Sequence, residues 1–370
     1  IFPPGKRTTA LGIWSITTLV APAMGPILGG YISDNYHWSW IFLINIPVGV
    51  VAASLCWTGL AGRETERRKL PIDKLGLGLL VVWVGALQVM LDTGKDADWF
   101  ASPHIVVLAV IAAVGCVAWI IWELTDDHPM VDLSLLRGRT FALATLAFSL
   151  SYAVFFANVL ILPLWLQTHL GYTATWAGLA VAPSGVVAIL LTPFVTRYME
   201  RTDPRWFATL AVAAFAVSYF MRARLTATAS FGDFVLPMLV QGIAMSTFFV
   251  ALVAIALEHI EPARIPSASG IINFTRITAG GFAASITTTM WDRRAALHQN
   301  RLADTSSIWD PAMQHATQAL HEFGFTDLQS YAVLMRTLTD QAYLMSSLDL
   351  FWVSAWLSVA MIGVVWLARR

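Results

Sequence analysis

The chain has 370 residues, of which 57% are hydrophobic and 12% charged. That is half the roughly 25% charge of a soluble domain, and it also excludes intrinsic disorder, whose mark is low hydrophobicity. The 23 Lys+Arg balance 23 Asp+Glu, so a nucleic-acid binder built on a basic face is excluded as well, leaving an all-α integral membrane protein.

The first apolar run opens within about ten residues of Ile1, with no Met or polar leader ahead of it. The expectation is a C-terminal portion of something longer. A bilayer core about 30 Å thick takes about 20 apolar residues of helix. Ten runs qualify: residues 9–32, 40–61, 75–91, 104–122, 140–168, 172–198, 206–221, 234–257, 267–291 and 350–368. They are nearly continuous in apolar character, whereas the strands of a β-barrel would alternate.

An even number of spans puts both termini on one side. Placing that side in the cytoplasm puts fifteen Lys and Arg inside and seven outside, with Arg276 left within a span. Basic residues concentrate in cytoplasmic loops, so the asymmetry sets the orientation. Residues 62–74 and 124–139 read as charged cytoplasmic linkers. Residues 292–349 read as a long extracytoplasmic loop, with amphipathic surface helices near 311–323 and 326–345. As a cap over the bundle, or as a docking surface, such a loop has a plain use.

Signatures of soluble enzymes are absent. Gly5-Lys6 lacks the rest of a phosphate loop, and His321-Glu322 lacks the second His of a zinc helix. Cys56 and Cys116 both lie in apolar runs and form no disulfide framework. No metal or cofactor is called for. The strongest local feature runs from Ala21 to Gly30. Ala21, Gly25, Gly29 and Ser33 recur every four residues, and small residues on one helix face let a neighbouring backbone approach. Pro26 removes a helix hydrogen bond beside that seam and bends the axis.

Gly25-Pro26-Ile27-Leu28-Gly29-Gly30 resembles the antiporter motif in the fifth helix of drug:proton antiporters of the major facilitator superfamily. The segment Trp38-Ser39-Trp40-Ile41-Phe42 with Asn45, Pro47 and Gly49 is similar to one in the fourteen-helix branch, the EmrB/QacA type. Leu91–Phe100, Trp122–Asp127, Gly171–Leu179 and Asn273-Phe274-Thr275-Arg276 match in order along nearly the whole chain. The likeness leans to the EmrB side of that type, whose inner-membrane members pair with a periplasmic adaptor.

The resemblance implies multidrug efflux of hydrophobic or amphiphilic molecules by proton antiport and alternating access, in a bacterial inner membrane. It implies partners too, a periplasmic membrane-fusion adaptor and an outer-membrane channel. On its frame residues 1–61 hold helices five and six. Residues 62–138 carry the linkers and two inserted helices, and 139–370 form a C-terminal six-helix bundle. Ten helices of fourteen are then present, and the first four are expected upstream.

Proton antiport needs a titrating group inside the membrane. Every Asp and Glu lies in a loop or at a span end, with Asp92, Glu123 and Glu258 nearest the membrane, and the eight His behave alike. The coupling acid is therefore expected outside this stretch, and the stretch alone is expected not to transport. Arg276 is the one ionisable residue well inside a span. Asn273 stands one turn before it, and Asn158 and Gln241 are further mid-span amides available for the substrate path or for coupling. Pro163, Pro183 and Pro193 are expected to break two adjacent helices, and Trp83, Phe155, Phe156, Trp165, Phe248 and Phe249 line a greasy cavity or face lipid. An exporter of a specific metabolite or siderophore is the nearest alternative; an integral-membrane enzyme, which needs clustered His, Asp or Glu, is a remote one.

Overall fold

The computed structural model describes residues 24–61, 73–126, 131–199, 201–305 and 310–367. Among them there is helix and no strand. We number the helices α1 (residues 24–35), α2 (Trp40–Leu43), α3 (Asn45–Leu60), α4 (Lys74–Thr93) and α5 (Pro103–Thr125). There follow α6 (Arg139–His169), α7 (Ala174–Met199), α8 (Pro204–Arg222), α9 (Phe231–Leu257), α10 (Ile265–Thr305), α11 (Pro311–Glu322) and α12 (Asp327–Leu367).

Eight helices among the described residues are long and apolar enough to cross a bilayer, with α2 and α3 together giving one of them. They overlay eight of the ten predicted spans. Of the span at 9–32, residues 9–23 and with them Ala21 lie outside the described residues, and α1 carries the rest. The span at 267–291 is helical within α10 but fails on apolar content, because Asn273, Arg276 and a run of Ser, Thr and Gly dilute it. It packs on α6, α12 and α4, so other helices rather than lipid meet much of its surface. A helix placed so does not need an apolar face all round.

Helices α6 to α10 and α12 pack into one bundle. Phe148, Phe155, Phe215, Tyr219 and Phe248 centre one buried cluster, and Trp165, Phe234, Met238 and Phe351 a second. Phe155, Trp165 and Phe248 thus face the core, not lipid or an open cavity. The predicted helix breaks do not occur. α6 runs through Pro163 and α7 through Pro183 and Pro193, since a proline in a packed membrane helix forfeits one hydrogen bond that its neighbours can make good.

The stretch 292–349 also differs from a loop carrying two surface helices. α10 and α12 each have 41 residues, about 60 Å at 1.5 Å per residue and twice the thickness of a bilayer core. Residues 327–345 are thus continuous with the last span. Neither Gly nor Pro occurs between Asp327 and Ile362, so nothing in the sequence ends the helix at the membrane surface. The two helices project side by side, with α11 folded on α12 at the far end.

Candidate functional site

The α1 seam sets the first piece of the site. A Cβ on Gly30 would overlap the Ala174 carbonyl, and one on Gly178 would overlap that of Pro26. Backbone therefore lies on backbone where α1 crosses the start of α7. Asp34, one turn beyond Gly30, caps α7: its carboxylate accepts from the backbone N–H of Ala174 (3.1 Å) and Thr175 (2.7 Å). The Thr175 hydroxyl and N–H, the largest causes, hold the Asp34 carboxyl below its ordinary value, as donors to a carboxylate do.

The contact face of α1 is thus Pro26, Gly30 and Asp34, one residue round from the predicted stripe. Gly25 and Gly29 meet nothing within 4 Å among the described residues. Sequence reasoning missed Asp34. Its spacing of four from Gly30 and eight from Pro26 was the available signal.

The second piece is Arg276. A mid-membrane Arg costs about 2.5–3.5 kcal/mol on insertion scales. Its guanidinium lies 4.8 Å from the ring centre of Tyr152, 5.8 Å from Phe249 and 5.9 Å from Phe148. Each such contact contributes about 0.5–2 kcal/mol depending on desolvation, so the aromatic sleeve offsets much of the insertion cost. Arg276 Nη2 also donates to Asn273 Oδ1 at 3.1 Å, while its Nε is buried without an acceptor.

The other two amides stand apart from this pair. Asn158, 2% exposed, donates to Ser354 Oγ (2.9 Å) and the Val154 carbonyl (2.8 Å), joining α6 to α12. Gln241 is buried in α9 with its carbonyl oxygen unpaired. Beside Asn158 a mostly apolar cavity of about 520 Å³ lies between α6, α10 and α12, with Val154, Ile286, Thr287 and Leu357 in its wall and Arg294 and Asp349 at one end. That volume falls in the range of small-molecule pockets.

At the end of the bundle that carries the projection, three acids on α10 and α12 draw neighbours together. Asp349 accepts from Arg294 Nε (2.9 Å) and lies 2.7 Å from His298 Nε2. Asp340 pairs with His169 at 2.8 Å, and Asp292 with Lys95 at 2.7 Å. Lys95 follows α4, so this last pair ties the α4–α5 hairpin to α10. Ser285 Oγ donates to the Leu91 carbonyl at 2.7 Å, and Trp83, Trp119 and Phe274 stack together with centroids 5.8–6.3 Å apart. Trp83 is therefore an anchor of the hairpin. No sequence signal pairs residues 194 positions apart, which is why these contacts were not foreseen.

The sequence profile of the Major Facilitator Superfamily matches residues 1–285. The chain belongs to the Major Facilitator Superfamily. Within the superfamily it is of the EmrB type. It is 43% identical to the multidrug export protein EmrB of Escherichia coli K12 over 369 residues, all of this chain and 72% of that protein. To the fatty acid resistance protein FarB of Neisseria gonorrhoeae it is 40% identical, over all of this chain and 73% of that one. In fold it is similar to a bacterial homolog of the human lysosomal transporter Spinster, solved inward-facing and occupied. The TM-score is 0.51 at 14% identity, over 99% of this chain and 70% of that structure.

Proposed function

We propose that the protein exports hydrophobic or amphiphilic small molecules by alternating access, driven by exchange for protons, from a bacterial inner membrane with both termini of this chain in the cytoplasm. The observation that carries this reading is the likeness to a multidrug export protein along the whole chain. The α1–α7 seam agrees with it. Two helices that touch through glycine backbone can part and close again without stranding large side chains.

In that orientation the projection of α10, α11 and α12 stands in the periplasm. From Asp340 back to Asp327 it reaches about 20 Å beyond the His169 pair, and its tip exposes Phe323 and Leu328, at 82% and 81%. Large apolar side chains held out in water mark interaction surfaces, which suits a membrane-fusion adaptor that leads on to an outer-membrane channel. Removing residues 306–326 is expected to abolish adaptor co-purification, and full retention would break that assignment. For the export itself, the gene is expressed in an efflux-deficient host. Lower accumulation of a fluorescent amphiphile is expected, reversed when the proton gradient is collapsed. Accumulation unchanged by expression would refute the reading.

A further inference from the structure

We infer that Arg276 reads the charge of the exported molecule: it is the group that receives the oxyanion of an anionic amphiphile, one with an apolar ring or chain behind a carboxylate, sulfonate or phenolate. The inference rests on the exporter reading above and adds the sign of the cargo to it. Four cations elsewhere in the structure have an acid beside them: Lys95 has Asp292, Arg205 has Asp203, Arg264 has Asp132 and Arg294 has Asp349. Arg276 has none among the described residues.

Arg222 gives the useful contrast, because it too lacks an acid among the described residues. It is 1% exposed and enclosed by Tyr219, Phe351, Ser218 and Met238, so no ligand can reach it. Arg276 is only half buried, and its neighbour Asn273 is exposed. One of the two is a sealed structural cation and the other is open.

The coordination of Arg276 says what the open side takes. A guanidinium has five N–H donors in one plane. The rings of Tyr152, Phe148 and Phe249 interact through their faces and accept none of these in-plane hydrogens in a normal hydrogen bond. Among the described residues only Nη2 has an acceptor, Asn273 Oδ1. Nε is buried without an acceptor, so what the sleeve leaves unmet is the outer edge, Nη1 with the second hydrogen of Nη2, a pair of parallel donors that matches an oxyanion two bonds at a time. Gly280, one turn along α10, has no side chain to hold Tyr152 off: a Cβ there would come to 3.1 Å from the ring. The aromatic wall so placed would stack on the apolar part of the same molecule.

The test is titration of the purified protein in lipid nanodiscs with three probes sharing one ring system. They are naphthalene-2-sulfonate, which is permanently anionic, its neutral sulfonamide, and the cation trimethyl(2-naphthyl)ammonium. Wild type is expected to bind the sulfonate at least about tenfold tighter than the sulfonamide. Arg276→Gln is expected to bring that ratio to within about twofold, with Arg276→Lys between, since it keeps the charge but not the fork. Asn273→Asp leaves the arginine in place and gives the fork a resident carboxylate, so it too is expected to erase the preference.

No preference in wild type, a preference surviving either Arg276→Gln or Asn273→Asp, or an equal loss for all three probes in Arg276→Gln would each overturn the inference. Should Arg276→Gln fail to fold, Asn273→Asp decides alone. Resistance separates the two readings. If expression protects cells from no amphiphile, the exporter reading fails. If it protects them but the titrations show no preference for the anion, only the role of Arg276 fails.

Discussion

Two helical elements reach the six-helix bundle from outside it, and they hold on in opposite ways. α1 meets α7 with almost no side chain between them: Gly30 and Gly178 bring backbone onto backbone, and Asp34 caps two N–H groups. The α4–α5 hairpin meets α10 through interlocked side chains, with Trp83 and Trp119 around Phe274, Ser285 bonded to the Leu91 carbonyl, and Lys95 paired to Asp292. Parting the first contact exposes little apolar surface and empties no pocket. Parting the second would strand two tryptophans that are 6% and 4% exposed. The first suits a junction that opens and closes in each transport cycle, the second a fixed attachment.

Substitutions can break this contrast. Gly178→Leu has the largest expected effect, because even a Cβ there collides with the Pro26 carbonyl. Near-complete loss of drug resistance at normal membrane expression is expected, and retained resistance would show that the seam is not where the bundles meet during transport. Trp83→Ala comes next. A buried Trp truncated to Ala costs about 3–5 kcal/mol, so the thermal midpoint in detergent should fall well below wild type. Transport by the surviving folded fraction should persist; if it failed outright while stability held, the hairpin would be more than an attachment.

Ser285→Ala removes one buried hydrogen bond, worth about 0.5–1.5 kcal/mol, and should lower the midpoint slightly without touching resistance. The smallest effect is at Asp34. Its carboxyl is held below the usual 3.8 by Thr175, so its cap is fully present above that pH and is lost as pH falls through the lowered folded value. The distance between spin labels placed on α1 and α7 should then be constant from pH 7 to 5 and widen only below about 4. Asp34→Asn, keeping one acceptor oxygen, should remove that acid sensitivity. A widening between pH 7 and 5 would assign the contact to some other titrating group.

How much was legible depends on the range of the interaction. Asn273 and Arg276 lie three residues apart on one helix, so their pairing could be read directly from spacing. That an uncompensated arginine inside a span needs company was readable too, but not that Tyr152, Phe148 and Phe249 supply it from two other helices. The same limit explains the seam. The four-residue spacing of small residues on α1 was plain, yet two such faces are available, and only the position of α7 selects Pro26, Gly30 and Asp34 over Gly25 and Gly29. Prolines in α6 and α7 looked like breaks because local rules penalise them, while a packed bundle tolerates them.

That this protein lies in a membrane, where its long apolar helices fall and which family it belongs to could all be read along the chain, because each follows from runs of neighbouring residues: length of apolar stretch, spacing of glycine and proline, and ordered motifs. Tertiary structure alone decided that α10 and α12 pass beyond the membrane as a paired projection. It also decided which of Arg222 and Arg276, neither with an acid beside it among the described residues, is sealed and which is open, and which glycines carry a helix crossing. These depend on what stands opposite a residue in space, and a linear pattern does not record that.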